Sequence, residues 1–207
     1  MGGTSDQEIE VKFFLHDIAL FEKQIIQEGG KLIQPRSFEI NYRFDTKDHH
    51  LRNENKILRL RKDTSSLLTY KGPTTIQDGI RIREELEIPI ENIQLAKKIL
   101  ESIGFTIEQI YEKYRTVYSF KNNCIMLDNL PIGNFVEFEG DNPVEIKKIA
   151  QELGLIWDRS VQFGYLQIYQ KMCNIKGIII GNMVFDDPFS TGIDLDLIGI
   201  YPADLAN

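Results

Sequence analysis

The run Glu8-Ile9-Glu10-Val11-Lys12 sets two carboxylates and an ammonium at every second residue, with apolar side chains between them. In an extended strand residues two apart share a face, so Glu8, Glu10 and Lys12 stand together opposite Ile9, Val11 and Phe13. The pattern recurs down the chain. Arg59 and Arg61 oppose Leu58 and Leu60, and Lys71 aligns with Thr69 against Leu68 and Tyr70. Arg81, Arg83, Glu85 and Glu87 oppose Ile80, Ile82, Leu86 and Ile88, with Glu84 a single break in the apolar side. Lys113 and Arg115 share a face, Asp128 ends a strand whose other face holds Ile125 and Leu127, and Glu137 and Glu139 alternate with Val136 and Phe138. Arg and Lys donors match phosphate oxygens, Arg through two parallel bonds. Clustered carboxylates are hard oxygen ligands suited to Mg2+ or Mn2+, which bind through one or two carboxylates and the phosphates of a substrate. Both sets together point to a metal–polyphosphate complex.

These residues need strands to hold them. Strands are predicted at Glu8–Leu15, Arg36–Phe44, Ile57–Lys62, Leu67–Lys71, Ile80–Ile88, Tyr111–Phe120, Cys124–Leu127 and Asn134–Phe138. Helices interrupt them: one capped by Asp17 and stopped at Gly29-Gly30, one over Asn92 to Ile103, one opened by Asn142-Pro143 and closed by Gly154, and one following Ser160 that contains Val161, Tyr165, Ile168 and Tyr169. Two arrangements are compatible with the alternation. In a half-exposed sheet the charges would be solvated on the outside. In a closed barrel, for which eight strands suffice, they would line a lumen and would have to pair or bind ligands. The polar face is almost wholly Arg, Lys and Glu rather than Thr, Ser and Gln, and this favours the barrel.

The 207-residue chain carries a net charge of -7, which repels nucleic acid and anionic membrane. An anionic ligand must therefore meet a local cationic site. Cys124 and Cys173 have no metal-ligand spacing and read as reduced thiols. Met1 to Gln7 lacks the regions of a signal peptide, and no apolar stretch reaches the length of a bilayer span, so a cytoplasmic location is expected. His49 and His50 read as solvated loop residues, Tyr42 and Tyr70 as packing residues, and Trp157 as the anchor of a helix junction.

The ordered motifs resemble the CYTH, or triphosphate tunnel metalloenzyme, family, which includes class IV adenylyl cyclases, thiamine triphosphatases and inorganic triphosphatases. Its E-x-E-x-K hallmark matches Glu8-Ile9-Glu10-Val11-Lys12. There follow in order Leu58-Arg59-Leu60-Arg61, Thr69-Tyr70-Lys71-Gly72-Pro73, Arg83-Glu84-Glu85-Leu86-Glu87, Lys113-Tyr114-Arg115, Leu127-Asp128 and Glu137-Phe138-Glu139-Gly140. Gly164-Tyr165 stands where the family often has Ser-Tyr. The resemblance covers about Gln7 to Lys171 and implies an α+β fold, a closed eight-stranded antiparallel β-barrel with helices packed outside. It gives a domain over 1-172 and leaves 173-207 as a tail that could pack on the barrel, mediate a homodimer or be partly disordered.

Carried over by position, the resemblance implies that Lys12, Arg59, Arg61, Lys71, Arg83, Lys113 and Arg115 hold triphosphate oxygens. Glu8, Glu10, Asp128, Glu137 and Glu139 face a Mg2+ or Mn2+ ion, directly or through water. Glu85 and Glu87 hold a second metal, orient water or balance the lumen arginines, and the catalytic set is Glu8, Glu10, Lys12, Lys71, Glu85 and Glu87. The implied partner is a triphosphate-containing small molecule. Three activities are open: hydrolysis of tripolyphosphate or of a nucleoside or thiamine triphosphate, cyclisation of ATP to cyclic AMP and pyrophosphate, and non-catalytic polyphosphate binding. The acidic motifs argue against the last, because unpaired carboxylates near a polyanion lower affinity unless a cation intervenes.

Overall fold

In the computed structural model, residues 6–188 and 194–205 are described. Nine strands form one antiparallel sheet: β1 (Gln7–Leu15), β2 (Lys31–Asp45), β3 (Ile57–Lys62), β4 (Ser66–Lys71), β5 (Thr75–Gln77), β6 (Ile80–Pro89), β7 (Thr106–Phe120), β8 (Asn123–Leu130) and β9 (Gly133–Glu139). Their order is β1-β9-β8-β7-β2-β3-β4-β6-β5, and β1 also pairs with β6. The first half of β1 binds β6 through Gln7 to Glu10, and its second half binds β9 through Glu10 to Leu15. That double use of β1 closes eight strands into a ring, as expected, with β5 a short addition on the flank of β6.

The helices α1 (Ile18–Gln27), α3 (Ile93–Ser102) and α4 (Pro143–Glu152) lie where capping chemistry predicts them. Asp17 accepts from the Leu20 N–H at 2.9 Å, Asn92 from the Leu95 N–H at 3.0 Å, and Asn142 from the Val144 N–H at 2.9 Å, each satisfying an N–H that has no partner within its helix. Alternate strand residues face outward and meet these helices. Val11, Phe13, Ile125, Leu127, Val136 and Phe138 join Phe21, Ile25, Ile146 and Ile149 in one core. Phe44 and Leu60 meet Leu100 of α3 in another.

Three elements differ from expectation. β5 and the short helix α2 (His50–Asn53) were not anticipated. The last long helix, α5 (Tyr165–Lys176), begins at Tyr165 rather than after Ser160. Residues 160 and 161 extend the outside of the barrel instead: Ser160 bridges to Phe13, and the Val161 N–H donates to the Lys12 carbonyl at 2.7 Å. Trp157 does sit at a junction, a 3-10 turn over Trp157–Arg159, with its ring edge-on to Phe13 at 5.7 Å.

Described parts of the segment after α5 bond to the barrel. The backbone of Met183 pairs with that of β7 through bonds to Ile110 and Glu112, and its side chain is fully buried. Further on, the Asp204 carboxylate accepts from the N–H groups of His16 and Asp17, and the Ala203 N–H donates to the Phe14 carbonyl. Residue 172, the expected domain edge, lies within α5. Cys124 and Cys173 are both free thiols, and no described helix is long and apolar enough to cross a membrane.

Candidate active site

Ring closure turns the charged face inward. It lines a cavity of about 790 Å3 whose walls include Glu8, Glu10, Lys12, Arg59, Arg61, Lys71, Arg83, Glu85, Glu87, Lys113, Arg115, Glu137 and Glu139. Asp128, fully buried, touches the same lumen through Lys113 and Arg115. All the site residues expected from sequence therefore converge on one cavity, although they come from seven strands.

Strand register decides which charges meet. Glu8 lies opposite Arg83 and Glu10 opposite Arg81 across β1–β6, while Lys12 faces Glu137 across β1–β9. Lys71 faces Glu85 across β4–β6, and Arg115 faces Asp128 across β7–β8. Opposed charges on one sheet face attract, and the side chains close the pairs. Glu8 accepts from Lys71 at 2.7 Å and from Arg83 Nε at 2.6 Å. Lys12 Nζ lies 2.9 Å from Glu137. Arg115 grips Asp128 with two bonds of 2.6 Å and also reaches Glu137.

The titration of these groups follows from that packing. Burial pushes the Glu8 carboxyl up, but Lys71 and Arg83 outweigh it and its pKa falls below the ordinary range. Glu137 is likewise opposed by burial and held well below that range by Lys12 and Arg115. Glu139 behaves in the opposite way: burial and the charges of Glu8 and Glu85 push it up to about 7.

Several lumen residues went unassigned from sequence. Glu39 accepts from Asn41 at 2.8 Å and lies 3.5 Å from Lys113; Lys113 and Arg115 overcome its burial and hold it at about 2. Arg43 and Tyr111 also line the cavity, and Tyr111 Oη receives a bond from Arg59 at 3.3 Å. Arg81, expected inward by periodicity but given no role, lies 3.4 Å from Glu10. The signal was present: Glu39, Asn41, Arg43 and Asp45 alternate with Phe38, Ile40, Tyr42 and Phe44. Tyr165 was legible only as a helix residue. Its hydroxyl donates to Asp128 at 2.8 Å, its ring lies 4.0 Å from Lys12 Nζ, and it packs on Phe135, so α5 covers the end of the lumen where Phe14 and Phe135 continue the inner face.

The donor set suits an anion. Arg43, Arg59, Arg61 and Arg81 each bury an Nε that has no hydrogen-bond partner, a costly condition unless a ligand supplies acceptors. The carboxylates suit a hard cation, because Glu8, Glu10, Glu85 and Glu139 crowd closely enough to raise Glu139. They are not drawn into a ready ligand shell, since most of them hold basic residues. Among the described residues, the acidic and histidine side chains whose ligand atoms do lie within 4.8 Å of one another are Asp45, His49 and Glu108, of which Glu108 lines the cavity. There Asp45 already accepts three backbone N–H bonds, from Thr46, Leu51 and Arg52, and Arg52 is paired with Glu108. His50 is exposed, as expected of a solvated residue.

The model of the CYTH domain matches residues 6–160, three quarters of the chain. The chain belongs to the CYTH family. MJ0240 of Methanocaldococcus jannaschii, a candidate adenylate cyclase, is 27% identical over 172 residues, which cover 78% of this CYTH chain and 97% of that protein. The PH1012 protein of Pyrococcus horikoshii OT3 superposes with a TM-score of 0.66 at 25% identity, over 77% of this chain and 98% of that one. HpAC1 of Hippeastrum, a candidate adenylyl cyclase described as having a dominant triphosphatase activity, superposes with a TM-score of 0.59 at 17% identity, over 89% of this chain and 99% of its own. The segment after Ser160 that carries Tyr165 and the described part of the tail lies beyond the matched CYTH region.

Proposed function

We propose that this protein is a metal-dependent triphosphatase, hydrolysing tripolyphosphate or a nucleoside or thiamine triphosphate in the lumen of the barrel. The observation that carries this reading is the lumen itself, where guanidinium Nε groups without hydrogen-bond partners share one cavity with clustered carboxylates, among which Glu139 is pushed up by burial and its acidic neighbours. A metal–triphosphate complex answers both needs at once.

Lys12, Arg59, Arg61, Lys71, Arg83, Lys113 and Arg115 hold the triphosphate oxygens and neutralise charge that develops on the leaving group. Glu8, Glu10, Asp128, Glu137 and Glu139 would hold Mg2+ or Mn2+, which when bound would supply Lewis-acid polarisation of a phosphoryl oxygen. Glu85 and Glu87 sit on β6 beside Lys71 and Arg59 and orient the attacking water. Pairing between acids and bases keeps the lumen stable before substrate arrives. Substrate would draw Lys71 from Glu8 and Lys12 from Glu137, leaving those two carboxylates free to hold the ion.

The names of relatives favour a second reading, a class IV-type adenylyl cyclase acting on ATP. The same basic cradle serves it, but the nucleophile is the ribose 3′-hydroxyl and pyrophosphate leaves. Phosphorus NMR of the protein with Mg2+ or Mn2+ and tripolyphosphate, ATP or thiamine triphosphate separates the two. Orthophosphate supports the triphosphatase; pyrophosphate with cyclic AMP supports the cyclase and refutes hydrolysis. Binding without turnover in any mixture refutes both.

A further inference from the structure

Arg43 stands apart from every other lumen base. It projects from β2 on the inward face with Glu39 and Asn41, and the ladder sets it directly opposite Arg59 of β3 on one side and Gln109 of β7 on the other. Among the described residues no carboxylate lies within ion-pair distance of it, and its buried Nε has no hydrogen-bond partner. The acid nearest in sequence on the same face, Asp45, is occupied by the N–H groups of Thr46, Leu51 and Arg52. Arg59 offers no relief, since like charges opposed across a ladder repel. Arg59 is itself tied to Tyr111, Thr69 and the Glu85 and Glu87 carboxylates of β6. Burial, together with Arg59 and Arg83, lowers the Arg43 guanidinium to about 10.

A guanidinium held among other cations without a counter-ion costs stability, and the fold has a cheap remedy in any neutral side chain of similar length. We propose that Arg43 is an anion anchor for the substrate, using its free fork to take two oxygens of one phosphoryl group beside Arg59. The assignment rests on the triphosphate reading of the lumen and adds to it a residue that lies outside the matching motifs. It also makes a distinctive physical claim: Arg43 is kept for binding at the expense of the ligand-free fold. A residue kept for structure would show the reverse.

The test uses the full chain in EDTA, so that metal plays no part, with tripolyphosphate as the probe in isothermal titration calorimetry and urea unfolding run in parallel. Arg43→Met is expected to weaken tripolyphosphate binding by roughly tenfold or more, the scale of a charge-assisted bond, and to leave the ligand-free urea midpoint unchanged or higher. Arg43→Lys, which keeps the charge but loses the fork, is expected to recover part of the affinity. Arg43→Met with wild-type affinity, or with a lowered ligand-free midpoint, overturns the assignment while leaving the triphosphate reading standing. A wild-type protein that binds tripolyphosphate neither in EDTA nor in a parallel titration with Mg2+ overturns the triphosphate reading, and the Arg43 assignment with it.

Discussion

Glu139 offers the sharpest test of the lumen electrostatics, through the variant Glu139→Gln. Its carboxyl is raised from 4.5 to about 7 by burial and by the charges of Glu8 and Glu85. In the unfolded chain the same group ionises near its ordinary value, so between these limits the folded protein binds more protons than the unfolded one. Its contribution to stability is thus fully present below about pH 4.5 and is lost as pH rises through about 7. The interval, at about 1.4 kcal/mol per pH unit, sets an upper bound of about 3 kcal/mol. Glu139 is only partly buried, and solvent screening brings the expected loss to about 1–3 kcal/mol. Glu8, Glu39 and Glu137, all lowered, add a slope of opposite sign near the acid end of the window, but it is common to both proteins and cancels in the comparison. The assay is urea unfolding in EDTA from about pH 5 to about pH 8, comparing the wild type with Glu139→Gln. The wild type should lose stability relative to the variant as pH rises. Mn2+ added at about pH 8 should restore the wild type more than the variant, because the ion binds the folded state and relieves the repulsion. A pH-independent difference between the two proteins would refute the crowding of Glu139 with Glu8 and Glu85.

Three further outcomes are expected. Glu10→Gln should lower metal-dependent phosphate release by at least about a hundredfold with the fold intact, checked by a phosphate assay and circular dichroism; wild-type rates would sink the metal assignment. Asp128→Asn strips the counter-charge from Arg115 and Lys113 and should cost about 3–5 kcal/mol in urea unfolding, with a loss below about 1 kcal/mol counting against the buried cluster. Met183→Ala empties a fully buried position where the tail meets β7 and should cost about 2–5 kcal/mol. An unchanged midpoint would mean that the tail does not pack there in solution.

Local chemistry made much of this protein legible in advance. Alternation of charged and apolar residues placed Glu8, Glu10 and Lys12, and likewise Arg83, Glu85 and Glu87, on single faces, because a strand turns successive side chains to opposite sides. Asp17, Asn92 and Asn142 marked helix starts because each offers an oxygen to N–H groups its helix leaves unpaired. The same alternation covered Glu39 and Arg43, although the stripe of Glu39, Asn41, Arg43 and Asp45 mixes acid, amide and base and is fainter than a run of like charges. What only the tertiary structure decided was non-local. Inward and outward faces are equivalent until β1 pairs with both β6 and β9 and closes the ring. Which acid meets which base, Lys12 with Glu137 or Arg115 with Asp128, depends on register between strands far apart in sequence. The start of α5 was displaced because the residues after Ser160 found backbone partners on β1, and the solitude of Arg43 follows from what its neighbours on β3 and β7 do not provide. Sequence determined the inventory and spacing of the charges, since those are properties of a single strand; their pairing, and the base left without a partner, are properties of the closed ring.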